Sequence, residues 1–130
     1  MTPTEYLADI KTELVTSDLV ASFEVVEEWA QPDRGYIRIR VWLVNGDFLE
    51  VAEYFVVSNE ACVTERYRYQ WMDGTRKQMR RRWDNVEHYP DLPGFPHHVH
   101  FADGRVEPGE SLGILDLLER LAGEISREAG

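Results

Sequence analysis

Nine residues in the middle of the chain constrain its fold more than any others. From Tyr36 to Val44 apolar and polar side chains alternate, with Ile37, Ile39, Val41 and Leu43 on one side and Arg38, Arg40 and Trp42 on the other. A period of two marks a β-strand with one buried and one wet face. Asn45-Gly46 follows at once, and this dipeptide predicts a tight hairpin because both central residues of a type I′ turn need positive φ. Phe48 to Val57 then reads as the return strand. A chain with this hairpin at its centre is built around an antiparallel sheet.

The flanking segments extend that sheet and cover it. Thr4 to Leu14 predicts a short amphipathic helix, with Tyr6, Leu7, Ile10 and Leu14 at three- and four-residue spacing behind Thr2 and Pro3. Ser22 to Trp29 is strand-like and ends in turn chemistry from Gln31 to Gly35. Cys62 to Trp71 and Arg76 to Trp83 read as a further strand pair joined at Asp73-Gly74. A loop rich in Pro, Gly and His occupies Asn85 to Gly109, and Ser111 to Glu128 predicts a closing helix with Leu112, Leu115, Leu118, Leu121, Ala122 and Ile125 inward. The expectation is an α+β fold: a five- to six-stranded antiparallel sheet with an N-terminal and a C-terminal helix packed on one face. Residues 1–130 read as a single domain, since no linker, repeat or low-complexity run divides them.

Charge separates the chain into unlike parts. The net charge of -10 opposes indiscriminate binding to nucleic acid or anionic lipid. Between Cys62 and Asp84, however, seven cations meet three carboxylates, a local +4 that leaves -14 for the rest. Such a segment fits a narrow polyanion site or an acidic partner, and equally a solvated strand pair whose arginines meet nearby carboxylates. No apolar run approaches the ~20 residues that span a bilayer, the amino terminus lacks a signal-peptide pattern, and Cys62 is the lone cysteine. A cytoplasmic protein without membrane contact is expected.

Alternation also sorts the candidate site residues. In the fourth strand Val63, Tyr67, Tyr69 and Trp71 share a face, and Thr64, Arg66, Arg68 and Gln70 share the other. In the fifth, Arg80 and Arg82 oppose Met79, Arg81 and Trp83. With the apolar faces under the helices, Arg38, Arg40, Arg66, Arg68, Arg80 and Arg82 line one open cationic surface. All four histidines lie between His88 and His100, three of them at His97, His98 and His100. Imidazole changes charge near neutrality, so the cluster suits acid/base work, metal ligation or phosphate recognition. A metal would need converging ligands, such as His97 and His100 with Asp84 or Asp103. The spacing matches no standard zinc pattern and supplies no thiolate pair, so no metal or other cofactor is expected. Adjacent His97 and His98 point in opposite directions in extended chain, and alternation pairs His98 with His100. There is no Gly-rich phosphate loop, nucleophile elbow or basic cysteine pocket.

The string Tyr67-x-Tyr69-x-Trp71, the hairpin, Arg82-Trp83-Asp84-Asn85, His88, and then Phe95-Pro96-His97-His98-x-His100 resembles the TumE-like proteins, small bacterial toxins of type II toxin–antitoxin modules. The resemblance runs from about Glu53 to the closing helix. It implies a growth-inhibiting protein held in check by a co-encoded antitoxin with a helix-turn-helix DNA-binding domain.

Two functions from different classes follow. The first is a toxin acting on RNA, as a metal-independent ribonuclease: His98 and His100 as acid and base, Arg68 and Arg82 as phosphate clamp, Asp84 as orienting carboxylate. Tyr67, at the sheet edge, is the one aromatic kept with the catalytic set, and Arg66, Arg80 and His97 are assigned to substrate contact. The second is a non-enzymatic protein whose cationic face docks an acidic protein or a nucleic acid; a homodimer is open in either case. A third is a domain that keeps its fold without a present activity.

Overall fold

The structure is a computed structural model and describes residues 1–129. Its elements are α1 (Pro3–Thr16), β1 (Val20–Gln31), β2 (Arg34–Leu43), β3 (Phe48–Ser58), β4 (Ala61–Met72), β5 (Met79–Asp84), β6 (His98–Phe101), β7 (Val106–Pro108) and α2 (Ile114–Ala129). The strands form one sheet in the order β1-β2-β3-β4-β5-β6-β7, every neighbouring pair antiparallel. Both helices pack on one face, so the expected architecture holds with seven strands in place of five or six. Among the described residues no helix is long and apolar enough to cross a membrane.

Local chemistry explains the elements. A capping box starts α1: the Thr2 hydroxyl accepts from the Glu5 N–H while the Glu5 carboxylate accepts from the Thr2 N–H, and Pro3 occupies the first turn. Its buried stripe is Tyr6, Leu7, Ile10 and Leu14. Those side chains meet Ile37, Ile39, Val41, Leu49, Val51, Phe55, Tyr69 and Trp71 of the sheet and Ile114, Leu117, Leu121 and Ile125 of α2 in one continuous core. The closing helix starts at Ile114 rather than at Ser111, and its inner face is turned from the expected one. Ile114 and Leu117 are buried, whereas Ala122 is exposed.

Three departures from the sequence expectation bear on the site. The Asn45-Gly46 hairpin is not a type I′ turn, since only Gly46 has positive φ, at 92°. The Gly46 N–H bonds the Leu43 carbonyl and the Leu43 N–H bonds that of Asp47, a four-residue turn ending in a left-handed glycine. Next, the alternation of β4 slips at Glu65. Tyr54 faces Arg66 and Phe55 faces Thr64, leaving Glu65 as an extra residue that reverses the faces beyond it. Thr64 is thereby turned under the helices and Val63 outward, against the expected grouping. Finally, the loop read from Asn85 to Gly109 contains β6 and β7. They are four and three residues long, too short for periodicity, though Asp103-Gly104, with Gly104 at φ 90°, marks the turn between them.

Candidate functional site

Register builds the site. Arg68 stands opposite Asp84 and Asp84 opposite His98, while one row along Gln70 stands opposite Arg82 and Arg82 opposite His100. Cross-strand partners share a face, so Arg68, Arg82, Asp84, His98 and His100 lie together on the face away from the helices. The motif Arg82-Trp83-Asp84-Asn85 divides its labour accordingly. Trp83 enters the core. Asn85 continues the ladder where β4 bulges, accepting from the Tyr67 N–H at 3.1 Å and donating to the Glu65 carbonyl at 2.7 Å.

Asp84 is the centre. It is buried, takes the Arg82 Nε–H on Oδ2 at 3.1 Å, and takes the Val86 N–H on Oδ1 at 3.1 Å. His98 Nε2 lies 2.9 Å from Oδ1 and His100 Nε2 3.6 Å from Oδ2. Neither nitrogen has a hydrogen-bond partner, since the contact to His98 falls off the N–H line. The other ring nitrogen of His98, Nδ1, sits 2.9 Å from the Pro96 carbonyl. A carbonyl only accepts, so Nδ1 carries the hydrogen. The His98 side chain is 1% exposed and that of His100 16%. Burial first, then the Arg82 charge, holds His100 below its ordinary pKa and favours neutral imidazole. The Tyr89 ring meets both imidazoles at steep angles, 5.2 and 6.1 Å between centroids.

The remaining candidates divide. Arg66 and Arg68 are exposed on the same open face, and neither pairs with a carboxylate among the described residues. Arg68 bonds Gln70, and Arg66 lies over the Tyr54 ring. Arg38 is paired with Glu50. Arg80 is the extra residue of a bulge between β4 and β5 and turns back to Asp47, Nε to Oδ2 at 2.8 Å, away from the cluster. Tyr67 and His97 lie on the helix side: their Oη and Nδ1 are 2.9 Å apart and their rings stack, while the Tyr67 hydroxyl reaches the Glu110 carbonyl. Burial pushes that phenol well above its ordinary pKa. Asp103 is held by Arg105 at the β6–β7 turn, so the trio brought together is Asp84, His98 and His100 rather than a set with His97 or Asp103.

Sequence reasoning passed over Tyr36 and Tyr54. They are cross-strand partners on the open face, with Trp29 and Arg66 in the same row. The Trp29 ring lies 6.2 Å from each tyrosine. Their even positions in alternating strands were the available signal. Beside them Ala52, a small residue between Arg38 and Arg68, leaves a shallow depression of about 350 Å³ lined also by Tyr36 and Gln70.

The family described as Toxin TumE matches residues 10–129 of the chain. The chain belongs to the TumE toxin family. The match reaches well upstream of the motif region and takes in the second half of α1 and the whole sheet, and membership implies an antitoxin partner. Neither the curated proteins nor the solved structures compared with it gave a match.

Proposed function

We propose that the protein is a toxin that acts on RNA, holding a single strand across the open face of its sheet. One observation carries this reading: partly exposed rings of Tyr36 and Tyr54, exposed guanidinium groups of Arg66 and Arg68 that no carboxylate among the described residues pairs, and the Arg82–Asp84–His98–His100 cluster are neighbours on a single face. Unpaired bases stack on such rings, and guanidinium groups hold phosphate at two points. The patch is narrow, which suits a chain of net charge -10. A broad duplex footprint would meet the surrounding carboxylates.

In this reading Arg68 and Arg82 hold the phosphodiester, and His100, the more open imidazole, reaches the reacting atoms. Asp84 orients it. His98 is too enclosed to touch substrate and acts as a positioning residue through Asp84. The partner we assign is a co-encoded antitoxin with a helix-turn-helix domain. A second reading, binding without turnover, is favoured by that same enclosure, because it leaves one accessible imidazole where ribonuclease chemistry uses an acid and a base.

Incubating the untagged protein with total RNA, and titrating it into a labelled single strand, separates the two. We expect cleavage that His100→Ala abolishes while binding persists. Intact RNA with salt-sensitive binding selects the second reading, and absence of both cleavage and binding refutes the pair.

A further inference from the structure

We propose that Asp84, His98 and His100 bind a divalent first-row transition-metal ion, with both imidazole Nε2 atoms and the Asp84 carboxylate as ligands. Three observations converge. First, two buried ring nitrogens have no hydrogen-bond partner, and both lie against the same carboxylate. Burying one unsatisfied polar atom is costly, and two at one spot point to a shared missing cation. Second, the spacing suits an ion. Ligands at about 2.0–2.2 Å from a metal stand roughly 3–3.5 Å from one another. The two nitrogen–oxygen distances are 2.9 and 3.6 Å, and one ligand atom from each residue falls within 4.8 Å of the others.

Third, the groups behind the ligands are arranged as metal sites require. The His98 Nδ1–H bond to the Pro96 carbonyl fixes the tautomer that leaves a lone pair on Nε2. Arg82 and the Val86 N–H immobilise the carboxylate. A proton on His98 Nε2 would also account for its 2.9 Å approach to Asp84, but the N–H would then miss its acceptor, and His100 Nε2 would still be orphaned. Imidazole with one carboxylate suits Zn²⁺, Fe²⁺ or Ni²⁺ and not Mg²⁺ or Ca²⁺. Three protein ligands leave coordination positions open, as in catalytic rather than structural sites. The Arg82 charge works against the ion, so affinity should fall below that of a four-ligand site. The inference does not depend on RNA; if both hold, the ion stands in place of the free His100 imidazole at the reacting atoms and would act as a Lewis acid beside the phosphate clamp.

The test uses untagged, chelator-stripped protein titrated with Zn²⁺ by calorimetry, and with Co²⁺ by visible absorption. One ion per chain is expected, with a rise in Tm on adding Zn²⁺ and none with Mg²⁺. His98→Gln and His100→Gln should each weaken Zn²⁺ binding at least tenfold, and His97→Gln, on the other face, should leave it unchanged. His100→Gln decides the matter if the enclosed His98 variant fails to fold, with circular dichroism confirming its native structure. Absence of saturable binding, or binding equal in folded His100→Gln and native protein, overturns the site. No RNA enters the experiment, so failure here leaves the RNA reading standing, and the reverse.

Discussion

Two enclosed carboxylates, one on each face of the sheet, show what separates a structural acid from a functional one. Glu53 lies under the helices, fully buried, and every lone pair it offers is met. It accepts from the Tyr6 hydroxyl at 2.7 Å, the Thr64 hydroxyl at 3.0 Å, the Tyr69 hydroxyl at 3.4 Å and the Ile114 N–H at 2.9 Å. Those donors come from α1, two positions of β4 and the first turn of α2, so one side chain ties three elements together. Asp84 is nearly as enclosed but is held by only Arg82 and Val86, and it faces two imidazole nitrogens that have no partner. A network with nothing missing rigidifies. One with orphaned atoms has room for something else.

Glu53→Ala is the largest break in this comparison. It strands three hydroxyls and a helix N–H in the core, and a loss of about 3–5 kcal/mol of stability is expected by urea unfolding. A loss below ~1 kcal/mol would deny Glu53 its role. Next in size is the open face. Tyr54→Ala removes a stacking ring and should weaken binding of a single-stranded oligonucleotide by about 1–3 kcal/mol. Equal binding by variant and native protein in a polarisation titration would detach the aromatic row from the function. Asp84→Asn should cost only about 1–2 kcal/mol of stability, since the partner it deserts, Arg82, is about a quarter exposed. Growth arrest on expression should nevertheless be lost. If Asp84→Asn destabilised the chain more than Glu53→Ala, the contrast would be inverted.

How much of this was legible depended on the length over which a pattern runs. The strict alternation of residues 36–44 is long enough to declare a strand, and it assigned Arg38, Ile39 and Arg40 to their true faces. The same rule applied to β4 placed Arg66 and Arg68 correctly but mis-sided Val63, because one extra residue at Glu65 is invisible to a period of two. Arg80 was misplaced in the same way by a second bulge. Alternation pairs His98 with His100, whereas Tyr67, kept with them as an exception at the sheet edge, lies through the sheet on the face that alternation gives it. Linear spacing cannot register that β5 and β6 bring Asp84 beside His98. Glu53 shares its parity with Leu49, Val51 and Phe55, but nothing in the local pattern names the four donors that meet it.

Protonation offers a sharper probe of the same contrast. Burial raises the Glu53 pKa above its ordinary 4.5, outweighing four hydrogen bonds that act the other way. Tyr6 and Tyr69, the titratable groups against it, are both pushed up and keep their protons. An acid whose folded pKa is raised binds its proton more tightly in the native state. Its contribution is therefore fully present below the unfolded value, near 4.5, and declines as pH rises toward the folded value. The slope is at most about 1.4 kcal/mol per pH unit. Measuring unfolding from pH 4.5 upward, Glu53→Gln should lose this part of the native decline, and parallel curves for the two proteins would show that Glu53 is ionised in both states.

The smallest effect on the fold belongs to the open face and is the most discriminating. Arg68 is exposed and meets only Gln70, so Arg68→Ala should shift stability by no more than about 0.5 kcal/mol. If its guanidinium neutralises one phosphate, the same variant should lower the slope of log affinity against log salt by about 0.7 for a single strand, uniformly across sequences. Arg81 supplies the counterpart one strand away, paired with Glu124 on the helix side. Arg81→Ala should reduce stability while leaving the salt slope alone. An unchanged slope in Arg68→Ala, or an equal change in both, would mean that the sheet does not separate a load-carrying face from a ligand-facing one.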